Sequence, residues 1–501
     1  MSAEAAEPRT SRREWLSVLG LSAGLLAFYV TYSISRVTTY LASGYDLGIF
    51  DQAVRAYARF QAPVAPLKGR GYNVLGDHFH PILVVVAPLY WIWDSPIVLL
   101  VVQAVLLSAT APLVYRFTRR RAGHWLALVV AAAFGVGWAV QSMIDFDFHE
   151  IAFAVPLLAL AIDALDRRAD RALLVSAGLL LLVREDMGLL VIVLGIIRAS
   201  TRVEGRRSWR SARPGLFMIA VGALGYVLVT EVAIAHFAPD RHFAYWQYTE
   251  LGSNLPNALG NLISHPWKAV RLFFSPSDKT ISLAYLLLPL LLLPLRSRYA
   301  WLALPLLAER YYNFRPELWT THYHYSVLPW VVLVLAMVDG SGRLGLLRAA
   351  WPRRVLIGWL LVVPVWLTAY GHTAPSDVRR MITGAAWRTD AHTAAQKAVV
   401  ARIPSDTCVA VDDRLAVHLD KRDYVTLADL SFDGSDFIAL DSRFASVGGN
   451  NGPPPAQVLT ASRADGYRVV FSQDSLTLLQ SPRYAGPSRA CRATGPGRAG
   501  P

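Results

Sequence analysis

The chain has 501 residues, 54% of them hydrophobic and only 17% charged, with a net charge of +13. Soluble domains carry ~25% charged residues, so a disordered chain, a collagen-like repeat and an ordinary soluble enzyme are excluded. Two cysteines exclude a disulfide-framework miniprotein. Basic residues that punctuate apolar runs, rather than gathering on one face, argue against a nucleic-acid partner.

The first apolar run, residues 15–34, is long enough to cross a ~30 Å hydrocarbon core. Arg12 and Arg13 before it hold its N-terminus in the cytoplasm. A polar, aromatic stretch follows over 35–80, and residues 81–93 read as a short helix in the outer interface. Residues 96–117 span back to Arg116, Arg119, Arg120 and Arg121, a cytoplasmic mark. Residues 125–144 go out, and 151–165 return to Arg167, Arg168 and Arg171.

Residues 172–197 hold two apolar pieces around Arg184-Glu185-Asp186. Each piece reaches only ~18 Å, so a re-entrant pair or two short helices under a wet cavity is expected, with a tilted single helix as the alternative. Arg198, Arg202, Arg206 and Arg207 follow on the inside. Residues 215–236 go out, 281–295 return, 299–308 form a short element, 326–338 come back and 355–370 make the last span. The expectation is a mainly α, polytopic helix bundle over residues 1–372, with about eleven spans plus re-entrant or interfacial helices.

After His372 the composition changes. Residues 409–411, 424–427, 437–440, 467–471 and 476–479 read as short strands, with helices or turns at 412–419 and 456–465. They predict a small extracytoplasmic α/β domain over 373–484. The Gly-, Pro- and Arg-rich segment 485–501 reads as a disordered tail. Cys408 and Cys491 both fall in this C-terminal part, where a disulfide and two free thiols are both open.

Four segments on the outer side concentrate acids and histidines. They carry Asp46 and Asp51; Asp77, His78 and His80; Asp147, His149 and Glu150; and His322 and His324. Carboxylates and imidazoles serve as general bases and hold divalent metals, and aromatics among them stack on sugar rings or sit at the lipid interface. Each has a bland reading: Asp46 as a helix cap, the histidines as interfacial residues, Arg184 paired with Glu185 or Asp186 because charge at membrane depth is costly.

The run Tyr45-Asp46-Leu47-Gly48-Ile49-Phe50-Asp51-Gln52, with Asp77-His78-Phe79-His80-Pro81-Ile82-Leu83, Ala87-Pro88-Leu89-Tyr90, Arg184-Glu185-Asp186 and His324-Tyr325, resembles a bacterial domain-of-unknown-function family of multi-pass membrane proteins. That family is similar to the GT-C superfamily of integral-membrane glycosyltransferases. The resemblance implies sugar transfer from a polyprenyl-phosphate carrier in the bacterial plasma membrane to a cell-envelope glycan, lipid or protein on the outer face. It implies Asp46 and Asp51 as the catalytic acids. His78, His80, Asp147, His149, Glu150, Arg184, Glu185, Asp186, Arg310, Arg315, His322 and His324 are the expected substrate-binding residues. A divalent ion, Mg2+ or Mn2+, is the cofactor this pattern allows. The superfamily's adjacent acidic pair is missing, since Asp46 and Asp51 lie five residues apart. Two other classes stand beside this one: a transporter using an intramembrane Glu185/Asp186 site, and a non-catalytic scaffold.

The orientation is testable. A cysteine at Asp429 should react with an impermeant thiol reagent in intact cells, whereas one at Arg207 should not. Labelling of both from outside overturns the assignment of sides.

Overall fold

The computed structural model describes residues 11–201, 209–370, 377–432, 434–449 and 452–487. Arg202, Arg206, Arg207, Cys491 and all of the expected tail beyond residue 487 lie outside the described residues. The chain is a mainly helical membrane protein with a small C-terminal mixed sheet.

Among the described residues five helices are long and apolar enough to cross a membrane: Arg12–Thr38, Ile97–Ala122, His124–Asp145, Trp209–Phe237 and His324–Arg343. The first starts at a capping box in which Ser11 and Glu14 satisfy each other's free backbone donors. The second ends in Arg119, Arg120 and Arg121, where basic side chains complement the helix dipole. There Asp163 is fully buried and accepts from Arg116 and Arg120, both at 2.5 Å, and from Arg167 at 2.9 Å. That cluster fastens helix Ile97–Ala122 to helix Ala154–Arg167 at their arginine-rich ends.

The expectation of about eleven continuous spans needs correction. Residues 281–295 do not form one helix: helix Ser277–Leu287 gives way to the 3-10 turns Leu288–Leu290 and Leu293–Arg296. Pro289 and Pro294 withhold the N–H groups a helix needs, and Leu291 and Leu292 take left-handed φ of +54° and +56° between them. The 299–308 element is likewise a 3-10 turn, Arg298–Leu302, leading into helix Ala303–Tyr311.

The break at Arg184-Glu185-Asp186 is present. Helix Asp170–Leu180 and helix Met187–Ser200 flank a turn over 181–186. At ~1.5 Å per residue neither crosses a bilayer. Helix Met187–Ser200 instead lies directly on helix Trp209–Leu228 through glycines. A Cβ at Gly195 would sit 2.6 Å from the carbonyl oxygen of Gly215, and one at Gly188 2.7 Å from that of Gly222. Backbone-to-backbone packing of this kind is how membrane helices associate without a hydrophobic driving force. It fixes the charged turn that opens helix Met187–Ser200.

In the C-terminal domain the strands are β1 (Cys408–Val411), β2 (Tyr424–Leu427), β3 (Phe437–Asp441), β4 (Arg468–Gln473) and β5 (Leu476–Gln480), each within about a residue or two of expectation. They form one sheet in the order β2-β1-β3-β5-β4, parallel through β2, β1 and β3 and antiparallel at β5 and β4. Cys408 is disulfide-bonded. One face of the sheet, with Leu415 from the short helix after β1, shares a hydrophobic core with the segment after the first span: Val409, Val411 and Leu415 pack with Ile49, Ala53 and Leu67.

Gly195→Leu should lower the unfolding temperature in detergent, because forced overpacking costs ~1–3 kcal/mol. Gly178→Leu is the control, since a Cβ at Gly178 meets nothing within 4 Å. Equal melting of the two variants would refute the backbone contact.

Candidate active site

The loop after the first span closes into a π-helical turn, Gly44–Gly48. Asp46 does not cap it. The first free N–H, that of Tyr45, goes to the Ser43 hydroxyl at 3.2 Å and to Asp413 at 2.5 Å. The Asp46 side chain, 28% exposed, instead faces Nε2 of His149 at 3.4 Å.

Asp147 and Gln103 hold the His149 segment in place. Asp147 adopts a left-handed φ of +61°, tolerable for Asp. Its carboxylate accepts from Arg36 Nε at 3.0 Å and from the Ser43 N–H at 2.7 Å. Gln103 accepts from the His149 N–H at 3.0 Å. The His149 ring stacks on His324 with centroids 3.6 Å apart, and Phe146 lies against both. Phe50 meets His80 and His149 edge-on. Nδ1 of His80, His149 and His324 are buried and have no hydrogen-bond partner among the described residues.

A second cluster is built on the broken helix pair. Arg184 binds Asp186 through two nitrogens, at 2.6 and 2.8 Å, and lies 3.6 Å from Glu309 and 3.8 Å from Glu150. Glu185 points the other way, to His78 Nδ1 at 2.6 Å and the Phe79 N–H at 3.2 Å. The His78 ring stacks on Tyr245 at 4.3 Å. Asp77 receives Lys68 at 2.7 Å and the Tyr245 hydroxyl at 2.6 Å. A cavity of about 20 Å³, room for one water, lies between Arg184, Glu309, Arg310, Tyr325, Ile151 and Leu306.

Burial alone would push His78 down, but the Glu185 carboxylate outweighs it and raises its pKa to about 9. Burial would raise Asp77, yet the Lys68 ammonium holds it at about 2. His80, buried with no such partner, is pushed below the usual imidazole range.

Several expected site residues sit elsewhere. Asp51 is fully buried, bound by Arg55 at 2.7 Å and by the Tyr90 hydroxyl at 2.7 Å. It joins helix Ile49–Ala58 to the short helix Ala87–Ile92 and does not meet the Asp46–His149 pair. Arg310 donates to the carbonyls of Leu318 at 2.8 Å and Tyr325 at 3.3 Å, so its charge is spent on loop backbone. His322 is exposed. Arg315 lies over the Tyr245 ring at 5.5 Å, and among the described residues it forms no ion pair with a carboxylate. Sequence reasoning missed Glu309, Lys68 and Tyr245. Glu309, at a helix end beside Arg310, carried a signal in being an acid after an apolar run. Among the described residues no three His, Cys, Asp or Glu side chains are placed to share a metal ion.

Residues 36–478 match the family model described as "Predicted membrane protein (DUF2079)", and the chain belongs to that family. No curated protein matches it. Among solved structures it is similar to the crystal structure of ArnT from Cupriavidus metallidurans bound to undecaprenyl phosphate, at 14% identity and a TM-score of 0.48, over 95% of this chain and 100% of that one.

The His78–Glu185 pair sets a pH dependence. Because the folded pKa is raised, the stabilisation is complete below His78's unperturbed pKa of ~6.5 and is lost as pH rises through about 9. Thermal melts from pH 6 to 10 should fall across that window. Glu185→Gln should flatten the fall, and a slope unchanged in that variant would assign it to another group.

Proposed function

We propose that this DUF2079 family member is an integral-membrane glycosyltransferase that moves a sugar from a polyprenyl-phosphate carrier to a cell-envelope acceptor, with Asp46 as the general base. One observation carries the reading. Ser43 and Asp413 take over the capping of the Gly44–Gly48 turn, which leaves a part-exposed Asp46 carboxylate against His149.

In the reaction the acceptor oxygen bonds to the anomeric carbon, the bond from that carbon to the carrier phosphate breaks, and the hydroxyl proton passes to Asp46. His149 Nε2 orients that carboxylate. The departing phosphate keeps its own negative charge and needs a cation more than a proton. Arg315 fits that need best of the three expected arginines, since Arg184 is surrounded by Asp186, Glu309 and Glu150 and Arg310 is tied to carbonyls. Exposed Trp91, Ile92, Trp267 and Phe274, on short helices between the long ones, suit contact with lipid. The disulfide at Cys408 supports an oxidising, extracytoplasmic place for the C-terminal domain. A transporter would need an available carboxylate at the helix break, and there Asp186 is closed by Arg184 and Glu185 by His78.

Asp46→Asn keeps the volume but cannot take a proton. Turnover with polyprenyl-phosphate sugars in proteoliposomes should fall by ~10²–10⁴ with melting unchanged. Asp51→Asn should behave oppositely, weakening the fold because one partner of a buried ion pair is removed. Near-wild-type turnover in Asp46→Asn would end the assignment of the base.

A further inference from the structure

The C-terminal domain grips the turn that carries Asp46. Its helix Asp413–Ala416 sits on that turn end to end. The Asp413 carboxylate receives the Ser43 hydroxyl at 2.8 Å and the Tyr45 N–H at 2.5 Å. Arg414 donates to the Leu41 carbonyl at 2.7 Å. Further along, Gln52 donates to Asp420 at 2.8 Å and to the Val425 carbonyl at 3.0 Å. Tyr40 stacks on His418 with centroids 3.7 Å apart. There is no slack: a Cβ at Gly44 would lie 2.4 Å from that of Ala416, and one at Gly48 3.0 Å from an Asp420 oxygen. From the opposite side Asp147 holds the Ser43 N–H. The turn is therefore clamped between the bundle and a domain some 370 residues away in the chain.

We propose that the C-terminal domain completes the active site, with Asp413 as a positioning residue that holds the Gly44–Gly48 turn and so aims Asp46 at the acceptor hydroxyl. The inference rests on the reading of Asp46 as the base. Its physical content is geometric. A reacting group misplaced by ~1 Å loses ~10² in rate, and a five-residue turn released from one of its two anchors wanders by at least that much. Asp413 touches no substrate, so its loss acts on the chemical step and leaves donor binding in place.

The test uses the full chain with Asp413→Ala, Asp413→Asn and Gly44→Ala. Asn can accept from the Tyr45 N–H through its oxygen and donate to the Ser43 hydroxyl through its amide, so it preserves the clamp; Ala cannot. Hydrogen exchange is read on the peptide spanning residues 41–50, together with kcat and KM for a polyprenyl-phosphate sugar. Asp413→Ala and Gly44→Ala should speed exchange of that peptide at least ~10-fold, with helix Val327–Arg343 unchanged. Their kcat should fall ~10–100-fold at nearly constant donor KM. Asp413→Asn should stay near wild type in both. Unchanged exchange in Asp413→Ala, faster exchange throughout the chain, or a fall confined to KM would each overturn the positioning role. Locally faster exchange in a protein whose wild type transfers no sugar would leave the clamp standing and remove the glycosyltransferase reading instead.

Discussion

Arg36, at the end of the first long helix, is the hinge pin of the face that carries Asp46 and His149. Its guanidinium is buried and spends its donors on Asp145, Asp147 and the Leu41 carbonyl. One side chain thus ties together the first helix, the segment that delivers His149 and the loop that delivers Asp46. A buried guanidinium without partners is prohibitively costly, so these three elements cannot separate without exposing or orphaning it. Tyr32 and Arg380 extend the same knot through Asp145. The meeting of Asp46 with His149 follows from this arrangement.

The same rule governs the broken helix pair. Arg184 faces three carboxyl groups, Asp186, Glu309 and Glu150, while Glu185 is turned out to His78. The glycine-lined contact beneath keeps the turn from relaxing away. The protein therefore carries two adjoining polar centres of different character. One is an acid–imidazole stack beside the Gly44–Gly48 turn, and the other is a dense ionic network at the helix break. Tyr325 belongs to both, being close to the charges of Arg315, Asp46 and Arg184.

Much of this was legible in local pattern. The break at Arg184–Asp186 and all five strands follow from hydrophobic period and charge, and the acidic and histidine clusters were visible as departures from apolar composition. The partners were not. Asp46 and Asp51 look alike in sequence, yet one faces an imidazole and the other an arginine one helical turn away. The i, i+4 spacing of Asp51 and Arg55 was the available clue. Arg310 reads as a free cation until the carbonyls of a later loop are placed around it. Pro289 and Pro294 should have divided the expected 281–295 span, and hydropathy masked them. Contacts such as Asp413 with Ser43 lie beyond any window of local reading.

The shared core beneath the sheet has an engineering consequence. Val409, Val411 and Leu415 share their core with Ile49, Ala53 and Leu67 from a segment near the other end of the chain. The loop and the domain are one packing unit despite their separation in sequence. A chimera that exchanges the C-terminal domain between relatives must carry residues 40–76 with it.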